Sequence, residues 1–166
     1  MSTITIRLLE QNDWSKVWSF LEPVFRTGET YTFDREISES QAFHTWVEIP
    51  QATFVAEAED HTILGTYYLK PNQGGGGAHV CNCGYVVAPN ARGRGVAFLM
   101  CQHSQSEAQS RNFRAMQFNF VVSTNVGAIR LWQRHSFEII GKLPNAFKHP
   151  VQGYVDAFVM YKELAT

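Results

Sequence analysis

The stretch "VVAPNARGRGVAFLM", residues 86–100, decides the fold of this chain. Its valines read as the end of a strand, and Pro89 forbids that strand's extension because proline has no N–H for a ladder. Val96, Leu99 and Met100 then recur at helical spacing. A strand therefore passes into a helix through two Arg-Gly pairs, with no spacer, and residues 92–97 read as the first turn of that helix. Glycines let backbone come close to a ligand, and a helix start presents unpaired N–H groups with the positive end of the helix dipole behind them. The run fits a bound diphosphate; it also fits a tight turn that merely exposes two arginines. Two familiar phosphate loops are excluded. No lysine completes a P-loop, and the dinucleotide fingerprint needs a third glycine where Phe98 stands after Gly93 and Gly95.

Upstream, "TITIRLL" alternates as an opening strand. "NDWSKVWSFLEPVF" follows as a helix capped by Asn12 or Asp13, with Trp14, Val17, Trp18 and Leu21 on one face and Pro23 ending or bending it. "SESQAFHTWVEI" is a second short helix, capped by Ser38 and carrying Ala42, Phe43, Trp46 and Val47 as its apolar stripe. "ATFVAEAED" and "TILGTYYLKP" form a hairpin around Asp60 and His61, and the four glycines 74–77 read as a mobile loop before the strand "HVCNCGYVV". After the helix "GVAFLMCQHSQSEAQS" come the strand "AMQFNFVV", the helix "NVGAIRLWQRHS", and two closing strands, "FEIIGKL" and "YVDAFVMYKEL". The order is β-α-α-β-β-β-α-β-α-β-β. Its central β-α-β unit needs two parallel strands joined by a right-handed crossover, while both ends look antiparallel. The expected class is α/β, a mixed sheet with helices on both faces. No repeat or linker divides residues 1–166, so one domain is expected.

With a net charge of −1 and a sequence pI near 6.6, nothing in the bulk electrostatics attracts nucleic acid or an anionic membrane. The N-terminal residues lack the basic start and apolar core of a signal peptide, and no run approaches the roughly 20 apolar residues of a membrane span. A cytoplasmic protein is expected. Three cysteines are an odd number, in keeping with a reducing compartment. Cys81 and Cys83 have no second pair at zinc spacing, so strand packing is expected of them and no metal.

Two stretches together resemble a known family. "VVAPNARGRGVA" is similar to motif A of the GNAT superfamily of acetyl-CoA-dependent N-acetyltransferases, with Arg92, Gly95 and Ala97 on its [QR]-x-x-G-x-[GA] signature. About thirty residues on, "NVGAIRLWQRHSF" resembles the family's N-x-x-A-x-x-L-Y-x-x-x-G-F, with Asn125, Ala128, Leu131 and Phe137 in register. The resemblance covers nearly the whole chain. It implies the GNAT fold, in which the two parallel strands splay and admit the thioester of acetyl-CoA. It also implies a diphosphate held on the N–H groups of Arg92, Gly93, Arg94, Gly95, Val96 and Ala97, pantetheine beside Val86 and Val87, and Asn125 at the pantetheine's other side. Relatives often dimerise through terminal strands or helices, so a homodimer is an expectation of the same kind.

The departures from that pattern concern proton transfer. The family's glutamate on the strand before motif A falls on Asn82, and an amide is no base near neutral pH. Its motif B tyrosine is Trp132, and its glycine before Phe137 is Ser136. Asn82 and Asn119 instead interrupt the two strands expected to lie side by side, where an unsatisfied buried amide costs on the order of 1 to 3 kcal/mol. They either bond backbone freed by the splay, or face each other across it as catalytic groups that orient the acceptor amine or its carboxylate and polarise the thioester carbonyl. "ILGTYYLKPN", "HVCNCGYVV", "FNFVVSTN" and the aspartate of "YVDAFVMYKEL" are similar to the fungal acetyltransferases that detoxify azetidine-2-carboxylate. That likeness implies substrate contacts from both asparagines and a small cyclic or secondary amine as acceptor. Tyr31 and Phe33 are the expected walls for an apolar ring, and His79 is the histidine expected nearest the cleft. The alternatives are a silent acyl-CoA-binding sensor, since the usual acid and base are both replaced, and an acetyltransferase of peptide N-termini.

Overall fold

The computed structural model describes residues 3–164. Its strands are β1 (Ile4–Leu8), β2 (Ala52–Ala58), β3 (Ile63–Pro71), β4 (Val80–Val87), β5 (Ala115–Val122), β6 (Glu138–His149) and β7 (Gly153–Glu163). The helices are α1 (Trp14–Thr27), α2 (Glu39–Phe43), α3 (Val96–Ser110) and α4 (Val126–Arg134). The strands make one sheet in the order β1-β2-β3-β4-β5-β7-β6. Every neighbouring pair is antiparallel except β4 and β5, which α3 connects. This is the mixed α/β sheet and the element order read from the sequence.

Helices cover both faces, as the alternation along β3 makes visible. Thr66 accepts a hydrogen bond from the Trp46 indole at 3.2 Å on one face, and the next residue, Tyr67, pairs its hydroxyl with His103 of α3 at 2.7 Å on the other. Cys81 and Cys83 are buried within β4. Among the described residues no helix is long and apolar enough to cross a membrane.

Local rules were overridden at several points. Pro23 lies inside α1, which runs on to Thr27 and stops at Gly28 with φ 66°. The buried residues Val17, Phe20, Leu21 and Phe25 lie on both sides of Pro23, and their packing outweighs the roughly 3 kcal/mol that an interior proline costs. Asp13 precedes α1 without capping it: its carboxylate meets Arg7 at 2.7 Å and the Glu10 N–H at 2.8 Å. Ser38 caps α2 as expected, and a π-turn, His44–Glu48, continues that helix and carries Trp46 fully into the core. Gly75–Gly77 form a 3-10 turn where a structureless loop was expected. On α3 the buried side is Val96, Met100, Cys101, Ser104 and Ala108, while Leu99 is exposed. Strand β6 extends through Pro144 to His149, which an edge strand permits because its outer backbone has no partner.

The feature that positions a site is the failure of the β4/β5 pair to continue. The two strands are in register only at Val80↔Ala115 and Cys81↔Met116, although β4 runs on to Val87 and β5 to Val122. The register of β5 against β7 also slips between Phe118 and Val121. Residues 82–87 and 117–122 are therefore two strand segments that separate from a common origin.

Candidate active site

At the far end of this separation, β4 gives way to a 3-10 turn, Pro89–Ala91, and then to the glycine turn. Gly93 and Gly95 have φ of 74° and 78°, in the left-handed region, and α3 begins only at Val96, so residues 92–95 are a turn and not the first helical residues. A Cβ built on either glycine would meet nothing within 4 Å. The backbone conformation, and not crowding, calls for glycine here, at a cost of roughly 1–2 kcal/mol for other L-residues. Gly95 stands at the N-cap without a side-chain hydrogen bond, so the first N–H groups of the 15-residue α3 have no cap and open space lies before the glycines. Val96 is anchored in the core, Ala97 is half-buried, and Arg92 and Arg94 are exposed. Such a turn suits an anionic group held by main-chain donors.

At the origin of the splay stands Asn82, which is buried. Its Nδ2 donates to the Gln117 carbonyl at 2.9 Å, the first carbonyl of β5 beyond the ladder, and its Oδ1 accepts from the Tyr68 hydroxyl at 3.2 Å. Asn119 differs from expectation in being exposed, and among the described residues no hydrogen bond joins it to Asn82. Its Oδ1 accepts from Gln117 Nε2 at 2.9 Å and its Nδ2 donates to Asn72 Oδ1 at 2.6 Å. The slip of β5 between Phe118 and Val121 removes Asn119 from paired strand, so no burial penalty applies to it. Gln117 joins the two asparagines, through its main chain to one and its side chain to the other.

Aromatic side chains form the adjoining wall. The Tyr31 hydroxyl donates to the Tyr85 carbonyl at 2.9 Å, in the part of β4 that β5 no longer pairs, and the Tyr31 ring stacks on Phe33 with centroids 5.6 Å apart. Burial, and secondarily the nearby Tyr68, pushes the Tyr31 phenol well above its ordinary range; burial does the same to Tyr68. Both are protonated hydrogen-bond donors at neutral pH. A Cβ on Gly84 would lie 2.5 Å from Tyr68 Cε1, so the glycine makes room for the ring whose hydroxyl holds Asn82. Trp132 is buried, 4.9 Å from both Tyr85 and Phe118 by ring centroids.

Of the other expected residues, Val86 is buried and Val87 half-buried on the separating segment of β4. The side-chain oxygen of Asn125 caps α4 by accepting from the Ala128 N–H at 3.3 Å, so that oxygen is committed to the helix and its amide N–H group is what remains for a ligand. His79 precedes the paired end of β4, away from the open half of the splay. Sequence reasoning missed Tyr68, Gln117 and Asn72. Gly84 inside "CNCGYVV" was the signal for a close approach by a neighbouring ring; nothing local marks Asn72.

Comparison with known proteins agrees with this geometry. The acetyltransferase (GNAT) family model matches residues 14–137. The N-acetyltransferase aca1 of Schizosaccharomyces pombe is 30% identical, over 84% of this chain and 75% of its own length. A GCN5-related N-acetyltransferase from Kribbella flavida superposes with a TM-score of 0.93 at 42% identity, covering 97% of this chain and 98% of that one. A phosphinothricin acetyltransferase from Sinorhizobium meliloti, solved in complex with acetyl-CoA, shares the fold with a TM-score of 0.86 at 18% identity, covering 98% and 89%.

Proposed function

The chain belongs to the acetyltransferase (GNAT) family, and on that premise we propose that it moves the acetyl group of acetyl-CoA to the nitrogen of a small amine or amino acid. The observation that carries this reading is the end of the β4/β5 ladder at Cys81↔Met116, with Asn82 satisfied across the opening. Separated strand segments leave main-chain donors and acceptors for an extended ligand, and an uncapped helix start lies at the end of the same gap.

Residues 92–97 would hold the diphosphate by main-chain N–H groups, and Val86 and Val87 would flank the pantetheine. In the reaction the amine nitrogen bonds to the acetyl carbonyl carbon, the carbon–sulfur bond breaks, the amine loses a proton to water and the departing thiolate gains one. Asn82 replaces the carboxylate that would serve as a base, and its two hydrogen bonds hold the mouth of the splay in shape. The contribution of the protein is then positioning and oriented donors, with Tyr31 and Tyr68 kept protonated beside the gap. Tyr31 and Phe33 form an apolar wall suited to a small ring, which supports including proline analogues such as azetidine-2-carboxylate among the acceptors.

The test is release of free CoA from purified protein, acetyl-CoA and a panel of amines and amino acids, with products identified by mass. The expected result is acceptor-dependent release and an acetylated product. Acetyl-CoA binding without acceptor-dependent release would replace this reading with that of an acyl-CoA sensor.

A further inference from the structure

Lys70 is a half-buried cation with no carboxylate partner among the described residues. Of the other half-buried cations, Arg7, Arg26 and Arg111 each meet a carboxylate and Lys162 donates to the Gln105 side-chain oxygen. The Lys70 ammonium instead lies 5.3 Å from the centroid of the Tyr68 ring, and Lys70 stands cross-strand from Asn82. An aromatic face attracts the ammonium without accepting its hydrogens as an oxygen would, so its N–H donors are open to an anion.

A second observation points the same way. The amides in this region donate in one direction: Gln117 Nε2 to Asn119 Oδ1, then Asn119 Nδ2 to Asn72 Oδ1. The chain ends at Asn72 Nδ2, a donor with no partner among the described residues. Alternation along β3 places Lys70 on the face that carries Tyr68, and Asn72, two residues further on and just past that strand, meets Asn119 of β5.

We propose that Lys70 and Asn72 bind the carboxylate of the acceptor, which makes the enzyme selective for amino acids over amines that lack a carboxylate. This rests on the acetyltransferase reading above, and it gives Lys70 a direct role in specificity. A charge-assisted contact beside the splay leaves the acceptor nitrogen to be directed toward the thioester, while Tyr31 and Phe33 line the rest of the acceptor's surroundings.

Calorimetric titration of the CoA-bound protein separates the two readings. Alanine, proline and azetidine-2-carboxylate are each titrated beside their carboxamides, into wild type, Lys70→Gln and Lys70→Arg. The expected result is that each carboxylate that binds wild type loses about tenfold or more in affinity in Lys70→Gln and recovers partly in Lys70→Arg. The carboxamides are expected to bind wild type about tenfold more weakly than the acids, and to change less than about twofold in Lys70→Gln. Equal affinity of acids and amides for wild type, equal loss of both in Lys70→Gln, or no binding by any carboxylate overturns the proposal. If the differential is seen and no acceptor is acetylated, the carboxylate site stands and the acetyl-transfer reading falls.

Discussion

The glycine turn at residues 92–95 and the amide cluster around Asn82 lie at opposite ends of one splay and are built by opposite means. The turn offers main-chain groups, so side-chain identity matters only where φ of 74° and 78° demands glycine. The cluster is built by side chains that reach across β3, β4 and β5: Tyr68 to Asn82, Asn82 to the Gln117 carbonyl, and Asn119 to Asn72 just past β3, at sequence separations of 14, 35 and 47. A site of the first kind can be broken at two positions and is otherwise tolerant. A site of the second kind fails in steps, because each side chain holds the next.

The largest effect is expected at the turn. Gly95→Val forces a β-branched residue into the left-handed region and should raise the acetyl-CoA dissociation constant by about tenfold or more, while stability falls by only ~1–2 kcal/mol. Calorimetric titration and denaturant unfolding measure the two quantities separately. Wild-type affinity would break the comparison by removing the turn from cofactor binding.

Next comes the base of the cluster. Asn82→Ala strands the Gln117 carbonyl and the Tyr68 hydroxyl, and Gly84→Ala drives a methyl group into the Tyr68 ring. Each should cost about 1–3 kcal/mol of stability and lower kcat, with acetyl-CoA affinity little changed. Asn119→Ala should be milder, within ~0.5 kcal/mol in stability because the residue is exposed, and should act mainly on the acceptor KM. Equal stability losses at Asn82 and Asn119 would contradict the different burial of the two.

The smallest effect concerns pH. The cluster presents amides and phenols raised by burial, so its own protonation is constant through the neutral range. The strongest acid sensitivity is expected of Arg7, Asp13 and Glu57, at the β1–β2 side of the sheet, which β3 separates from β4. The Arg7 guanidinium lowers Asp13 below 3.8 and Glu57 from 4.5 to about 2. Because the folded values are depressed, their stabilisation is fully present above about pH 4.5 and is lost as pH falls toward 2. Burial lowers His103 and His135 from 6.5, which adds a decline that begins below that pH. Unfolding midpoints measured across pH 2 to 8 should follow this order, and Arg7→Met should flatten the acid limb.

The legibility of the chain follows the same division. The element order and the strand, turn and helix of residues 86–100 were readable because each depends on neighbours in sequence: Pro89 stops a ladder, and glycines permit a positive φ. Pro23 does not end α1, because tertiary burial of Phe20 and Phe25 carries the helix past it. Asn119 misled because its exposure depends on a register slip against β7, a strand more than thirty residues away. Asn82 was legible as a polar interruption of an apolar strand, but its partners Tyr68 and Gln117 are set by pairing across the sheet.

A crystal structure of the acetyl-CoA complex tests the central claim most directly. Diphosphate oxygens are expected within hydrogen-bond distance of the main-chain N–H groups of residues 92–97, and the thioester between the separated segments of β4 and β5. A diphosphate held by side chains elsewhere, or a thioester outside the splay, would contradict it.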